Sequence, residues 1–276
     1  MAENCTPSDC SACGESCPSR MAPQSLLEPA NASSNIKKVI GVVSGKGGVG
    51  KSLVTSLMAV AAGKNGKKVG ILDADITGPS IPRVFGINDT VYGTELGIIP
   101  AVSAGGVRVI STNLILDDPG QPVVWRGPVI AGVVKQFWNE VVWGDIDYLF
   151  VDMPPGTGDV PLTVFQSLPV DGIIIVTSPQ DLVSMVVEKA VRMAEMMNIP
   201  VLGIVENMSY LTCPDCGKKI YVFGKGRTEE VAGRHNIGKV AYLPIRPEIA
   251  ELCDAGKIET VDDEVLGIVR DFMGDI

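Results

Sequence analysis

Apolar and polar residues alternate along this chain with two different periods. Short, nearly continuous apolar runs predict buried strands, and stretches with apolar residues every three or four positions predict amphipathic helices between them. The strands are expected at Val39–Ser44, Lys68–Asp73, Val107–Ser111, Tyr148–Asp152, Gly172–Thr177, Val201–Glu206 and Val240–Leu243. The helices are expected at Lys51–Asn65, Val129–Val142, Leu182–Met197, Thr228–Arg234, Glu248–Asp254 and Asp263–Phe272. This order predicts an α/β fold with a mainly parallel sheet flanked by helices on both faces.

Two stretches depart from that pattern. Residues 1–35 are polar, rich in Cys, Pro, Ser and Ala, and follow neither period. We therefore expect a flexible, cysteine-rich segment over 1–35 and one large domain over 36–276. The stretch Val91–Ile110 combines glycines with short apolar pieces, which favours a β-hairpin insertion.

The loop between the first predicted strand and the first predicted helix matches the phosphate-binding pattern G-x-x-x-x-G-K-[ST]. Its residues are Gly45-Lys46-Gly47-Gly48-Val49-Gly50-Lys51-Ser52. The glycines let backbone N–H groups close around an anion, and the following helix directs the positive end of its dipole to the same place. We expect Lys51 to reach the β- and γ-phosphates and Ser52 to ligate Mg²⁺. The pattern predicts a P-loop NTPase.

Carboxylates end two other predicted strands. Asp73 and Asp75 close the second strand, and Asp152 follows four apolar residues at the end of a later one. The carboxyl ends of parallel strands meet at one crevice, so we expect these acids near the phosphate loop. Asp152 has the position of a Walker B acid, which holds Mg²⁺ directly or through water. The loop that contains Gly156 is expected to sense the γ-phosphate.

The seven cysteines of the chain fall into groups. Four are N-terminal: Cys5, Cys10, Cys13 and Cys17. Cys213 and Cys216 form a C-x-x-C pair in a predicted loop after a strand that ends near Glu206. Two thiolates do not complete a tetrahedral site, but a twofold dimer would bring two such pairs together. Four thiolates suit an iron–sulfur cluster or Zn²⁺, and a redox pair is the remaining alternative. Cys253 is expected to be a small buried hydrophobe.

Charge and hydropathy argue against two classes of partner. The net charge is −9 and no basic stripe is present, which disfavours nucleic-acid binding. No apolar run is long enough to cross a bilayer, and the chain shows no charged-then-apolar leader. We therefore expect a cytoplasmic protein that binds no membrane.

The motifs together resemble one family. The Lys46/Lys51 loop resembles the deviant Walker A motif of MinD, ParA, arsenite-pump ATPases and the nitrogenase iron protein. Further motifs are similar to those of the Mrp/ApbC iron–sulfur cluster carriers within that group. They are Asp73–Ser80, Trp125-Arg126-Gly127-Pro128, Asp152–Asp159, Glu206-Asn207-Met208-Ser209 and Cys213-Pro214-Asp215-Cys216.

The resemblance implies roles at particular positions. Lys46 would reach the nucleotide of a partner subunit and act like an arginine finger. Asp75 would orient or activate the attacking water, and Asp73 would support the first switch. Asn207 would hydrogen-bond the adenine base, with Leu243-Pro244 beside it. The resemblance assigns no role to Trp125-Arg126-Gly127-Pro128.

The resemblance also implies a labile 4Fe–4S cluster that bridges two subunits through Cys213 and Cys216. Eukaryotic scaffold relatives carry an N-terminal four-cysteine motif with a longer first gap than the one here. A second cluster is favoured at Cys5, Cys10, Cys13 and Cys17, and zinc or a cluster in transit stays open.

The function implied is that of an ATP-dependent cluster carrier or scaffold. As a homodimer it would hydrolyse ATP and transfer its cluster to apo-proteins. One alternative is a MinD/ParA-like positioning ATPase, against which the acidic charge and the paired cysteines argue. The other is an ATP-coupled electron donor resembling the nitrogenase iron protein, which takes its cluster cysteines from two separate places rather than from a C-x-x-C pair.

Overall fold

The main sheet is built on strands with unbroken apolar runs, which suits strands buried on both faces. The computed structural model describes residues 26–76, 78–115, 127–156, 158–180 and 182–274. Its strands are β1 Ser34–Val43, β2 Val69–Asp73, β3 Tyr92–Thr94, β4 Gly97–Ile99, β5 Ala101–Val102, β6 Arg108–Ile110, β7 Gly144–Asp152, β8 Gly172–Thr177, β9 Val201–Thr212, β10 Lys219–Ile220 and β11 Val240–Pro244.

Helices connect most of these strands. They are α1 Lys51–Lys64, α2 Ile81–Val84, α3 Gly127–Asn139, α4 Asp159–Ser167, α5 Leu182–Met196, α6 Thr228–Arg234, α7 Pro247–Asp254 and α8 Asp263–Met273. Single 3₁₀ turns lie at Thr112–Leu114 and Ile258–Thr260. No helix in the described ranges is long and apolar enough to cross a membrane.

The order of strands in the main sheet is β10-β9-β8-β1-β7-β2-β6-β5, and β11 pairs with β9. The pairs from β9 through to β6 are parallel, and so is β11 with β9, whereas β10 and β5 add antiparallel edges. The predicted α/β fold with a mainly parallel sheet is confirmed. Because β1 lies between β7 and β8, the loop that follows β1 opens at the middle of the sheet.

Two apolar layers cover the sheet. On one face, α3, α4, α5 and α6 contribute to a core that contains Phe137, Phe165 and Val191. On the other face, α1, α7 and α8 pack around Leu57, Ile249 and Leu266. The prediction of helices on both faces is therefore confirmed, and α1 is held rigidly behind the phosphate loop.

The observed elements differ from expectation at two places that matter for function. Helix α4 is additional to the predicted helices, and Pro161 lies in its first turn, where proline is tolerated. Strand β9 continues to Thr212 instead of ending near Glu206. The expected hairpin in Val91–Ile110 is present as β3 paired antiparallel with β4.

Part of the N-terminal segment contacts the domain. The Glu28 backbone N–H donates to the Ser167 carbonyl over 2.8 Å, and the Trp138 indole N–H donates to the Glu28 carbonyl over 2.9 Å. Lys135 forms an ion pair with the Glu28 carboxylate at 3.1 Å. Residues from Glu28 onward thus belong structurally to the domain. Cys5, Cys10, Cys13 and Cys17 lie outside the described residues.

Candidate nucleotide site and cysteine hairpin

The phosphate loop leaves β1 and enters α1 through a backbone that only glycine adopts easily. Gly48 and Gly50 have φ values of 81° and 82°, in the left-handed region. A Cβ at Gly50 would also overlap the side-chain amide of Asn207. Helix α1 begins directly after Gly50, at Lys51. The predicted phosphate cradle, from Gly45 to Ser52, therefore has the local geometry that its sequence requires.

The Walker B carboxylate, Asp152, lies at the centre of the site. Register pairs it with Val42 on one side and with Asp73 on the other, at the carboxyl ends of β1, β7 and β2. The Lys51 Nζ atom lies 2.7 Å from Asp152 Oδ2. The Asp152 side chain is fully buried and that of Lys51 is 6% exposed, so the two charges offset each other away from water.

Two hydroxyls of α1 fix the orientation of this carboxylate. The Ser52 Oγ atom donates to Asp152 Oδ2 over 2.6 Å, and the Thr55 Oγ1 atom donates to Oδ1 over 2.7 Å. Sequence reasoning missed Thr55, although its position one helical turn after Lys51 places both residues on the same face of α1. Ser52 and Asp152 supply the oxygen ligands that Mg²⁺ prefers, so the donor set fits that ion.

The other two acids lie beside Asp152 in different environments. Burial and the neighbouring Asp152 charge raise the pKa of Asp73 to about 8, against the opposing effect of Lys51. Ser111 Oγ donates to Asp73 Oδ2 over 3.1 Å. Asp75 lies nearer the surface, with Oδ2 3.7 Å from Lys51 Nζ. The structure thus brings together Lys51, Ser52, Asp73, Asp75 and Asp152, as the sequence predicted.

The loop after β7 is joined to the start of the phosphate loop. The Gly156 backbone N–H donates to the Ser44 carbonyl over 2.8 Å, and Gly156 has a φ value of 94°. Lys46 extends at the surface and donates to Gln180 Oε1 over 3.0 Å. The role of Gly156 in sensing phosphate and that of Lys46 across a dimer interface stay predictions.

An apolar cleft of about 310 Å³ adjoins the phosphate loop. Its apolar walls include Leu53 and Leu57 of α1, together with Met208 and the Leu243-Pro244 segment. Asn207 also lines the cleft and donates from Nδ2 to the Val49 carbonyl over 3.0 Å. A flat aromatic base fits such a lining, because most of its residues are apolar and Asn207 and Arg246 add polar groups. The structure places Asn207 and Leu243-Pro244 at one cleft, and their roles beside an adenine base stay predictions.

The cysteine pair occupies the tight turn between β9 and β10, and we call this turn and the two strand ends that it joins the cysteine hairpin. The Cys213 N–H donates to the Lys218 carbonyl, and the Gly217 N–H donates to the Cys213 carbonyl. Cys216 is exposed and Cys213 is half-buried. Hydrogen bonds from the backbone N–H groups of Cys216 and Asp215 lower the pKa of the Cys213 thiol. The structure therefore places two thiols in one surface turn, and the thiolate form is favoured at Cys213.

The pair has no third ligand within the described parts of the chain. No group of three or more His, Cys, Asp or Glu residues there is arranged to hold a metal ion. Cys253 is half-buried on α7, where burial and the charge of Asp254 raise the pKa of its thiol. One copy of the described chain thus offers two thiols at this hairpin, and a four-thiolate site needs further ligands from elsewhere.

Comparison with known proteins places this geometry in a family. The family model described as ParA, the NUBPL iron-transfer P-loop NTPases, matches residues 35–273. The chain belongs to this family. The P-loop NTPase assignment, and with it nucleotide binding, follows from that membership and from the geometry above.

Individual relatives of this NUBPL-type NTPase span most of its length. An "iron-sulfur cluster carrier protein" of Clostridium perfringens is 48% identical over 82% of this chain and 82% of its own length. A protein of the same description from Methanocaldococcus jannaschii is 46% identical over 81% of this chain and 78% of its own. A nucleotide-binding protein from Archaeoglobus fulgidus, solved with ADP, is 45% identical with a TM-score of 0.75. That match covers 82% of this chain and 89% of the other.

Proposed function

We propose that this protein is an ATP-dependent iron–sulfur cluster carrier that works as a homodimer and transfers a 4Fe–4S cluster to apo-proteins. The observation that carries the proposal is that one domain contains both a P-loop site, around Asp152, and a site with only two thiols, at Cys213 and Cys216. Relatives described as cluster carriers support the same conclusion. Binding of a cluster through the exposed Cys216 and the half-buried Cys213 requires reduced thiols, which suits the reducing cytoplasm.

The nucleotide half of the function follows from the site around Asp152. Bound Mg²⁺ supplies positive charge that offsets the charge developing on a transferred phosphoryl group. Ser52 and Asp152 would hold that ion, and Lys51 would turn from Asp152 to the phosphates. Asp75, the most accessible acid beside Lys51, would orient the attacking water. Lys46 would exchange its surface hydrogen bond with Gln180 for the nucleotide of a partner subunit.

In the proposed function, the cluster is cargo that the cysteine hairpin binds and releases. Cys213 and Cys216 of two copies would supply four thiolates around one 4Fe–4S unit on the twofold axis. An exposed hairpin suits a carrier, because a recipient protein can approach the cluster from solvent. We assign Cys5, Cys10, Cys13 and Cys17 to a second cluster.

The rate of ATP hydrolysis by a Lys51→Ala variant tests the nucleotide part of the proposed function. We expect ATP hydrolysis to fall to background, because the phosphates lose their lysine. Lys38→Ala, which changes an exposed lysine on β1, is the matched control and should hydrolyse ATP at the wild-type rate. Hydrolysis by Lys51→Ala at the control rate would contradict the nucleotide assignment.

Anaerobic reconstitution with iron and sulfide tests the second half. Iron counting and Mössbauer spectroscopy should show one 4Fe–4S component that disappears in Cys213→Ala/Cys216→Ala and persists in Cys253→Ala. A variant that lacks residues 1–20 should lose a different component. Uptake of zinc alone, or a double cysteine variant that keeps every spectral component of the wild type, would overturn the carrier assignment.

A further inference from the structure

A single strand connects the nucleotide cleft to the cysteine hairpin. Strand β9 carries Asn207 and Met208 at the cleft, and it ends at Thr212, directly before Cys213. Asn207 is hydrogen-bonded to the Val49 carbonyl of the phosphate loop. A displacement of β9 at the cleft therefore occurs only a few residues before Cys213.

The strand is irregular at this point. Its pairing with β11 is interrupted after Tyr242 and Glu206 and resumes at Pro244 and Tyr210. Between them Met208 has a φ value of 57°, which is strained for a side chain of its size. Residues 207–209 therefore have no register partner on β8 or β11, and Met208 in this bulge lines the cleft.

One buried carboxylate joins β9, before the cysteine hairpin, to the start of α6, after it. Glu206 is 1% exposed, and its carboxylate accepts hydrogen bonds from Ser209, over 2.7 Å, and from Thr228. Ser209 is on the outgoing strand before the cysteines, and Thr228 begins α6 on the returning side. Gly226 packs so closely that a Cβ there would overlap the Glu206 carboxylate. We call Glu206, Ser209 and Thr228 the carboxylate clamp.

We propose that the carboxylate clamp is a positioning device that transmits nucleotide occupancy of the cleft to the C-x-x-C hairpin. A nucleotide base that contacts Asn207 and Met208 displaces the bulge, and the clamp makes the chain before and after the hairpin follow as one unit. Without the clamp, the bulge absorbs the displacement and the hairpin stays where it is. The functional meaning of this coupling rests on the proposed carrier function, whereas the coupling itself is a property of the chain without iron.

The test measures how fast iodoacetamide modifies Cys213, with and without saturating Mg²⁺ and ADP, in iron-free protein. In the wild type we expect the two rates to differ by about fivefold, the low end of typical coupling between sites. Thr228→Val and Ser209→Ala should bring the ratio of rates close to one. The dissociation constant for ADP should stay within about threefold of wild type, because neither side chain lines the cleft.

Two controls separate coupling from general damage. Thr228→Ser restores a hydroxyl and should restore the rate ratio, whereas Thr260→Val removes an exposed, distant hydroxyl and should leave the ratio at the wild-type value. A wild-type ratio of one, or an unchanged ratio in both clamp variants, would overturn the proposal. Since the assay contains no iron, failure to bind a cluster in a separate reconstitution would refute the carrier function without changing this result.

Discussion

The buried charge cluster beside the phosphate loop makes a strong prediction about Lys51. Its Nζ atom is the cation nearest to the fully buried Asp152, with Asp73 buried on the adjacent strand. Lys51→Met keeps the length and apolar stem of the side chain but removes its charge. The two carboxyl groups would then share a buried site without that cation, which is costly.

The structure allows the size of the effect to be estimated. Removing one partner of a buried ion pair costs about 3–5 kcal/mol. We expect about 3 kcal/mol, at the low end of that range, because the raised pKa of Asp73 leaves Asp152 as the main charge that the cation offsets. With an m value of about 3 kcal/mol/M, the urea midpoint should fall by about 1 M. The buried Trp138 and Trp143 provide the fluorescence signal.

Two further variants decide whether the charge pair is responsible. Lys51→Met/Asp152→Asn removes the unpaired charge and should recover more than half of the lost free energy of unfolding. Lys38→Met, on the exposed part of β1, should change that free energy by less than about 0.5 kcal/mol. The reasoning is refuted if Lys51→Met unfolds at the wild-type midpoint, or if the double variant is no more stable than Lys51→Met.

Three other predictions follow from local geometry. Gly50→Ala should weaken ADP binding by about tenfold or more in a fluorescence titration, because Gly50 has a positive φ and lies against Asn207. The control Gly63→Ala, which adds a Cβ in open space on α1, should bind ADP as the wild type does. Equal affinities of the two variants would contradict the account. Thr55→Val should lower the free energy of unfolding by about 1–2 kcal/mol in urea, since the Walker B carboxylate loses a donor; wild-type stability would be the contrary result. The thiolate is the reactive form, so peptide mapping of iodoacetamide adducts across pH should give Cys213 a lower midpoint pH than Cys253; the reverse order would refute the assignment.

The central site could be predicted from sequence because its residues are local to the ends of strands. The phosphate loop, Asp73, Asp75 and Asp152 each follow a recognisable apolar run, and parallel pairing brings strand ends together. The same logic gave the positions of most strands and helices. Helix α4 could not be predicted in the same way, because it contains Pro161. Proline breaks a helix in its interior but is tolerated in the first turn, where Pro161 lies.

The carboxylate clamp could not be predicted in this way. Glu206 looks like an ordinary acid at the end of an apolar run, and its contacts with Gly226 and Thr228 cross the whole cysteine hairpin. The cleft also combines segments that are distant in sequence, since the Leu243-Pro244 end of β11 and α1 both line it in the folded domain. Sequence periodicity indicates elements, but it does not indicate which side chains meet between them.

Native mass spectrometry of the anaerobically reconstituted protein tests the central claim most directly, with the variant that lacks residues 1–20 used to remove the N-terminal cysteines. The account predicts a species with the mass of two chains and one 4Fe–4S unit, which is absent from Cys213→Ala/Cys216→Ala. A single chain that carries only zinc, or a dimer whose iron content is unchanged in the double cysteine variant, would contradict it.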